Sequence, residues 1–323
     1  QYPGLGSFWS DLQIVSNASG RAMMTGMVTN FATSTDNVAF NIFDPVSGWG
    51  LTDLVVPDQA MNDMQLAMDG TGNAVLVSSA QQVWRYDAVS GVWLGPETIT
   101  EETFPGSGIF KTMHDPVVVM DAAGNAMVVW MEFTTTLNIV ANYYDVVLGD
   151  WTGPVILDDP ALGANGELPR VAMDAAGNAL VIWLAEVGIG EYNIQARRYD
   201  ALTGWDSVIQ SVADPLLSHR SINAGGVRVL NGVDVPELTL DDNGNAFVVW
   251  SQDVDSDGDF TIRASRHDGN AWGAPEPISD DAQGDASMAK IAADAAGNAI
   301  AVWQQRDPAD GLLKVWSNRF TAP

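Results

Sequence analysis

Three aspartates, Asp253, Asp255 and Asp257, stand at alternate positions of the segment DVDSDGD, followed by Gly258 and Asp259. Carboxylates at positions one, three and five of a loop can wrap one hard cation, and glycine at position six permits the sharp bend, so the segment matches the first half of a calcium loop. The expectation is a Ca²⁺ site on Asp253, Asp255 and Asp257, with Asp259 helping through side chain or backbone. Position twelve, where an EF-hand places a bidentate Glu, is Ala264, and no flanking helices are expected. The loop therefore reads as a β-hairpin calcium loop, with a solvated acidic turn as the alternative. No other metal motif is present: His114, His219 and His267 lie far apart, and the chain has no cysteine.

Two cationic groups interrupt an otherwise acidic chain. His219, Arg220 and Arg228 fall within residues 212–236, and Arg170, Glu237 and Lys290 recur at matching places in successive repeats. These six residues are the candidate binding set. No nucleophile elbow, phosphate loop or spaced acid pair stands out from a background of 41 acidic residues.

The elements that must position these residues are legible because one phrase returns six times. It reads SNASGRAMMTG, MDGTGNAVLVSS, MDAAGNAMVVW, MDAAGNALVIW, LDDNGNAFVVW and ADAAGNAIAVW, anchored at Asn17, Asp69, Asp121, Asp174, Asp241 and Asp294. The spacings are 52, 52, 53, 67 and 53 residues. A period near fifty that contains strands rather than helices marks a β-propeller or a related array. Within one repeat, Arg170–Met173 reads as a first strand and Asp174–Asn178 as a tight turn. Ala179–Trp183 is a second strand with an unbroken apolar run, Asn193–Tyr199 an alternating third, and Trp205–Gln210 a fourth. The turn aspartates and the repeated tryptophans are read as turn formers and packing residues.

The expected architecture is an all-β, six-bladed β-propeller over residues 1–323 with four antiparallel strands per blade. The first strands are expected to begin near 12, 64, 116, 169, 236 and 289. The last repeat stops after its third strand, so Tyr2–Phe8 is expected to complete blade 6, which leaves no open ring edge. A weaker closure would let another chain donate the strand, giving self-association. In this fold the first strands line a central channel, with Gln13, Gln65, Val117, Arg170, Glu237 and Lys290 near its mouth. The 67-residue spacing adds about fifteen residues before blade 5, and loops that break a regular scaffold are where function concentrates. This insertion and the 253–259 loop are expected on the same face.

The 323 residues carry a net charge of −27, which disfavours nucleic acid and anionic lipid as partners. No run of 18 apolar residues suits a membrane span. The chain opens QYPGLG without an initiating Met, as a processed mature N-terminus does, which points to secretion.

The tandem D-A-A-G-N-A-x-x-V-W units resemble those of bacterial secreted and cell-surface β-propeller repeat proteins, over essentially the whole chain. The resemblance implies the propeller fold and an extracellular, cell-surface or periplasmic setting. A more distant likeness is to Asp-box propellers, whose turn reads S/T-x-D-x-G-x-T-W. Here Gly follows Asp by three positions rather than two, and no motif carries a sialidase arginine triad. The sequence is read as a non-catalytic binding or scaffold propeller that recognises protein or glycan outside the cytoplasm. The alternatives are a glycan-active enzyme, hydrolase or lyase, with its site at the channel mouth, and a structural subunit of a cell-surface assembly.

Overall fold

The computed structural model describes residues 7–30, 35–56, 63–100, 113–133, 136–159, 165–188, 191–213, 217–218, 235–252, 260–280 and 284–322. Among them there is no helix, and all strand pairing is antiparallel. The chain divides into two compact units, Gln1–Leu157 and Asp158–Pro323.

Unit 1 holds three meandering sheets. Sheet 1 runs Ser7–Ser16, Ala22–Asn30, Thr35–Asp44, with Gly48–Trp49 and Asp53–Val56 as a broken fourth strand. Sheet 2 runs Gln65–Met68, Ala74–Ser78, Gln82–Asp87 and Val92–Thr98. Sheet 3 runs Met113–Met120, Ala126–Phe133, Leu137–Asp145, then Asp150–Trp151 and Val155–Ile156. Unit 2 repeats the plan. Sheet 4 runs Gly166–Met173, Ala179–Gly188 and Glu191–Asp200, with Gly204–Trp205 and Gln210–Ser211 outside. Sheet 5 runs Glu237–Leu240, Ala246–Gln252, Thr261–His267 and Glu276–Pro277. Sheet 6 has three strands among the described residues, Ala286–Ala293, Ala299–Arg306 and Leu313–Phe320.

The first strands thus begin at Ser7, Gln65, Met113, Gly166, Glu237 and Ala286, close to the expected positions except in sheet 1. There the strand starts earlier, and Ser7 and Phe8 pair with Asn30 and Thr29 of the same sheet. Those two residues belong to sheet 1 rather than to a strand closing the last repeat. Gln1–Gly6 lies outside the described residues.

The D-x-x-G-N phrase is a self-capping hairpin turn. In sheet 3 the amides of Ala123, Gly124 and Asn125 donate to Asp121 Oδ1 at 2.9, 2.8 and 2.9 Å, and Asn125 Nδ2 donates to Oδ2 at 2.6 Å. Asn125 Oδ1 then accepts the Val146 amide at 3.0 Å, which ties the turn between the first and second strands to the turn that follows the third. The same link joins Asn73 to Ala88, Asn178 to Ala201 and Asn298 to Ala322. Glycine is required here twice over. Gly124 sits at φ 104°, and a Cβ on it would lie 3.2 Å from Asp69 Oδ2 of the preceding turn. A Cβ on Gly297 would meet Asp241 Oδ2 at 2.9 Å. Asn17 of sheet 1 replaces Asp: its Oδ1 accepts the Ser19 and Arg21 amides of its own turn at 3.2 Å each, and its Nδ2 also donates to the Asp69 and Gly70 carbonyls of the neighbouring turn at 3.2 Å each.

Side-chain packing joins successive sheets inside each unit. Met23, Val38 and Phe40 of sheet 1 pack on Leu66, Leu76 and Trp84 of sheet 2. Val77 and Val83 pack on Val128 and Trp130 of sheet 3. In unit 2, Leu180, Ile182 and Ile194 meet Val248 and Trp250, while Val249 and Ile262 meet Ala301 and Trp303. Trp130, Trp183 and Trp250, within the second strands, are fully buried and act as packing residues, whereas Trp49 of the outer-strand set is 48% exposed.

A polar lock reinforces the joint between sheets 2 and 3. Arg85 donates from Nε and Nη2 to Glu97 Oε1 at 3.0 and 2.6 Å, and from Nη1 to the Tyr144 hydroxyl at 2.5 Å. Its guanidinium lies 4.5 Å from the Tyr144 ring centre, and the Trp151 indole donates to Glu97 Oε2 at 2.9 Å. Burial alone would lower the Arg85 pKa; the hydrogen bonds and charge of Glu97 outweigh it and raise the value.

Replacing Asp121, which is 4% exposed, with Ala strands three backbone amides and the Asn125 side chain. Asp121→Ala is expected to cost about 2 kcal/mol in denaturant unfolding, the scale for buried donors left unsatisfied. Asp121→Asn, which keeps an acceptor oxygen, should lose less. A change for Asp121→Ala within about 0.5 kcal/mol, as for an ordinary surface substitution, would contradict the capping account.

Candidate functional site

The ion cluster expected from the sequence forms in unit 2. Arg170, Glu237 and Lys290 sit at one register position of three successive first strands, opposite Ile182, Val249 and Val302. Arg170 Nε lies 3.8 Å from Glu237 Oε1, and Lys290 Nζ donates to that same oxygen. Arg170 is also steadied by its own neighbour, Nη1 donating to the Pro169 carbonyl at 2.9 Å. The side chains are 27%, 18% and 67% exposed in the order Arg170, Glu237, Lys290, so the carboxylate is recessed and the ammonium stands out. One residue deeper on that face, Thr239 Oγ1 accepts the Ala293 amide at 3.3 Å and holds sheet 5 to sheet 6 beneath the cluster. The corresponding positions of unit 1 are Gln13, Gln65 and Val117, opposite Thr25, Val77 and Val129.

A feature missed in the sequence aims Arg170 and Lys290. The first strand of sheets 1, 3, 4 and 6 is bulged immediately before the cluster position, between Ser10 and Gln13, His114 and Val117, Glu167 and Arg170, and Ser287 and Lys290. Asp11, Asp115, Leu168 and Met288 carry the bend at φ between 45° and 57°. A bulge bends its strand and re-aims the following side chain. The available signal was faint. Asp11 and Asp115 are residues that tolerate left-handed backbone, and proline follows the bend at Pro116 and Pro169.

The remaining expected site residues lie outside the described residues: Asp253, Asp255, Asp257 and Asp259 of the calcium loop, and His219, Arg220 and Arg228 of the insertion. Among the described residues no group of three or more His, Asp or Glu is placed to hold a metal ion.

His267, on the third strand of sheet 5, belongs to an inter-sheet joint. Its Nδ1 accepts the Gly269 amide at 3.0 Å and lies 3.2 Å from Arg198 Nη2, which donates to the Gly244 carbonyl at 2.5 Å. The ring proton is therefore on Nε2, which is buried without a partner among the described residues. Burial, and then the nearby Arg198 charge, push the His267 pKa below its ordinary value.

No protein-family model matches the chain, and no curated protein sequence matches it. Solved structures do resemble it. A polysaccharide lyase aligns with a TM-score of 0.56 at 11% identity, over 97% of this chain and 81% of its own. An ulvan lyase of family PL25, bound to -[GlcA(1-4)Rha3S]-, aligns with a TM-score of 0.55 at 11% identity, over 94% and 79%. An α-L-arabinofuranosidase from Fusarium graminearum, in complex with an iminosugar inhibitor, aligns with a TM-score of 0.50 at 12% identity, over 97% and 92%. At such identities the likeness concerns the fold alone, and it supports the β-propeller class that the repeat implies. No helix of the described residues is long and apolar enough to cross a membrane.

A histidine whose folded pKa is depressed contributes stability above its unfolded value, 6.5, and that contribution is lost as pH falls through the folded pKa. Stability is therefore expected to decline from pH 7 toward pH 5, with the His267 ring titrating below 6.5 by NMR. His267→Phe, the residue type at the matching Phe320, should flatten that part of the profile. A ring titrating above 6.5 would contradict the buried neutral tautomer.

Proposed function

We propose that the chain is a six-bladed β-propeller that cleaves glycans at the Arg170–Glu237–Lys290 cluster. The observation that carries the site is the convergence of one recessed carboxylate and two cations from three successive first strands. The six repeats supply the blades, and the fold likeness to structures of glycan-cleaving enzymes favours action on glycans over a purely structural role.

The composition of the cluster narrows the chemistry. Glycoside hydrolysis ordinarily places two carboxyl groups across the scissile bond. Here one carboxylate is joined to two cations, a set better suited to elimination beside a uronate. An incoming uronate carboxylate competes with Glu237 for Arg170 and Lys290. Once released, Glu237 takes the proton from the carbon next to that carboxylate. A carbon–carbon double bond forms there, the glycosidic carbon–oxygen bond breaks, and the leaving oxygen takes a proton from solvent. The overall charge of −27 does not forbid an anionic substrate, since distant charges are screened beyond about 8 Å at physiological salt.

The same reading places the protein outside the cytoplasm and keeps a Ca²⁺ role for Asp253, Asp255, Asp257 and Asp259. A non-catalytic glycan-binding or scaffold propeller using the same cluster is the second reading, favoured by the absence of a catalytic motif in the sequence. Protein recognition through His219, Arg220 and Arg228 belongs to that reading.

A panel of arabinan, ulvan and polyuronates, followed by reducing-end release and by the ultraviolet absorbance of unsaturated uronate, separates the readings. Wild type should yield unsaturated product from a uronate-containing polymer, and Glu237→Gln should lower turnover at least a hundredfold, on the scale of removing a general base. Saturated products would favour hydrolysis, and binding without product the non-catalytic reading. Calorimetric titration with Ca²⁺ should give binding heat for wild type and none for Asp255→Ala; identical traces would remove the calcium site.

A further inference from the structure

The second strands of sheets 4, 5 and 6 carry a tryptophan at one register position, Trp183, Trp250 and Trp303, each just past the residue opposite Arg170, Glu237 or Lys290. In sheet 5 the Trp250 indole N–H donates to Gln252 Oε1 at 3.2 Å, and in sheet 6 the Trp303 N–H donates to Gln305 Oε1 at 3.1 Å. A glutamine two residues further along the strand thus caps the indole. Gln305 also donates from Nε2 to the Asp280 and Gly284 carbonyls at 2.7 and 2.9 Å, so its amide fills the space between the indole and the chain entering the first strand. In sheet 4 the residue at that place is Ala185, opposite Gly166 as Gln305 stands opposite Ala286.

The change from glutamine to alanine has two consequences. Trp183 is fully buried, and its Nε1 has no hydrogen-bond partner among the described residues, a costly state for a buried donor. At Ala185 there is a cavity of about 440 Å³, lined by Asp158, Asp159, Trp183, Gln195 and Ser207, among others. That size falls in the range of small-molecule sites, about 300–1,000 Å³. Its wall is braced: Asn165, which also lines it, accepts the Glu186 amide at 2.9 Å and donates from Nδ2 to Glu186 Oε2 at 2.6 Å. Arg170, Glu237 and Lys290 are not part of the lining.

The lining selects a ligand class. An indole N–H only donates, so the ligand presents an acceptor there. The Asp158 and Asp159 carboxylates accept, so the same ligand presents donors. An anion is repelled by the carboxylates, and a cation would bring no acceptor to the indole. A hydroxyl group plays both roles, and Ala185, Val208 and Ile209 offer apolar wall to C–H groups. We propose that this cavity binds a neutral sugar residue, one hydroxyl accepting from Trp183 Nε1 and others donating to Asp158 and Asp159. It is a carbohydrate site separate from the Arg170–Glu237–Lys290 cluster and independent of the reaction assigned there.

The test labels the tryptophans of the full chain with ¹⁵N and follows their indole N–H peaks by NMR as cellobiose, arabinobiose or galactose is added, with glucuronate and Ca²⁺ in parallel. The Trp183 peak is the one displaced in Ala185→Gln, a variant whose side chain has precedent at Gln252 and Gln305. Saturable movement of that peak is expected with at least one neutral sugar. Ala185→Gln should abolish the response by capping the indole and filling the cavity. Asp159→Asn, at an exposed residue and so expected to fold unperturbed, should weaken binding several-fold. The Glu237→Gln chain should bind the sugar as wild type does, which separates this site from the cleavage reading. No movement with any neutral sugar overturns the proposal, as does a response that persists in Ala185→Gln. A peak that answers to glucuronate or Ca²⁺ and not to neutral sugars would assign the cavity to an ion, and the proposal also fails.

Discussion

Everything regular in this protein rests on one aspartate carboxylate gathering the amides of its own turn. Each D-x-x-G-N turn would otherwise leave several backbone donors without acceptors at the end of a hairpin. Asp121 Oδ1 satisfies three of them, and the Asn125 side chain, held by the other carboxylate oxygen, reaches the next turn of the sheet. A five-residue phrase therefore ties the turn between the first two strands to the turn that follows the third. The glycine completes the constraint, because the carboxylate of the preceding turn in the same unit occupies the space a side chain would need at Gly124 and Gly297. The phrase specifies neighbour packing as well as local conformation.

Against so uniform a scaffold, function has to lie in the differences between repeats. At the same first-strand register position, unit 1 presents Gln13, Gln65 and Val117, and unit 2 presents Arg170, Glu237 and Lys290. Arg170 and Lys290 follow a bulge, as Gln13 and Val117 do, whereas Glu237 and Gln65 open first strands that carry none. The bulge costs some strand pairing and supplies orientation, an exchange common next to active sites. The Arg85–Glu97–Tyr144–Trp151 lock follows the same logic, a polar joint built from residues particular to sheets 2 and 3.

The sequence made the strand order, the turns and the packing role of Trp130, Trp183 and Trp250 legible, because each depends on local pattern and repetition. It also brought Arg170, Glu237 and Lys290 together, since equal spacing from an anchor implies equal register. It could not reveal the bulges, which arise from the misfit of an extra residue against the second strand and leave only Asp11, Asp115 and the following prolines as traces. The start of sheet 1 was misjudged for a related reason. Strand length there depends on pairing between Ser7–Phe8 and Thr29–Asn30, residues that carry no repeat signal. The Arg85 lock joins residues 59 positions apart, and no periodicity announces a hydrogen bond between unlike side chains.

The most direct test of the account is a crystal structure of the Glu237→Gln chain with a bound uronate-containing oligosaccharide. The account predicts a uronate carboxylate on the Arg170 guanidinium and the Lys290 ammonium, with the adjacent carbon facing residue 237. A sugar bound elsewhere, with Arg170 and Lys290 still turned to residue 237, would contradict it.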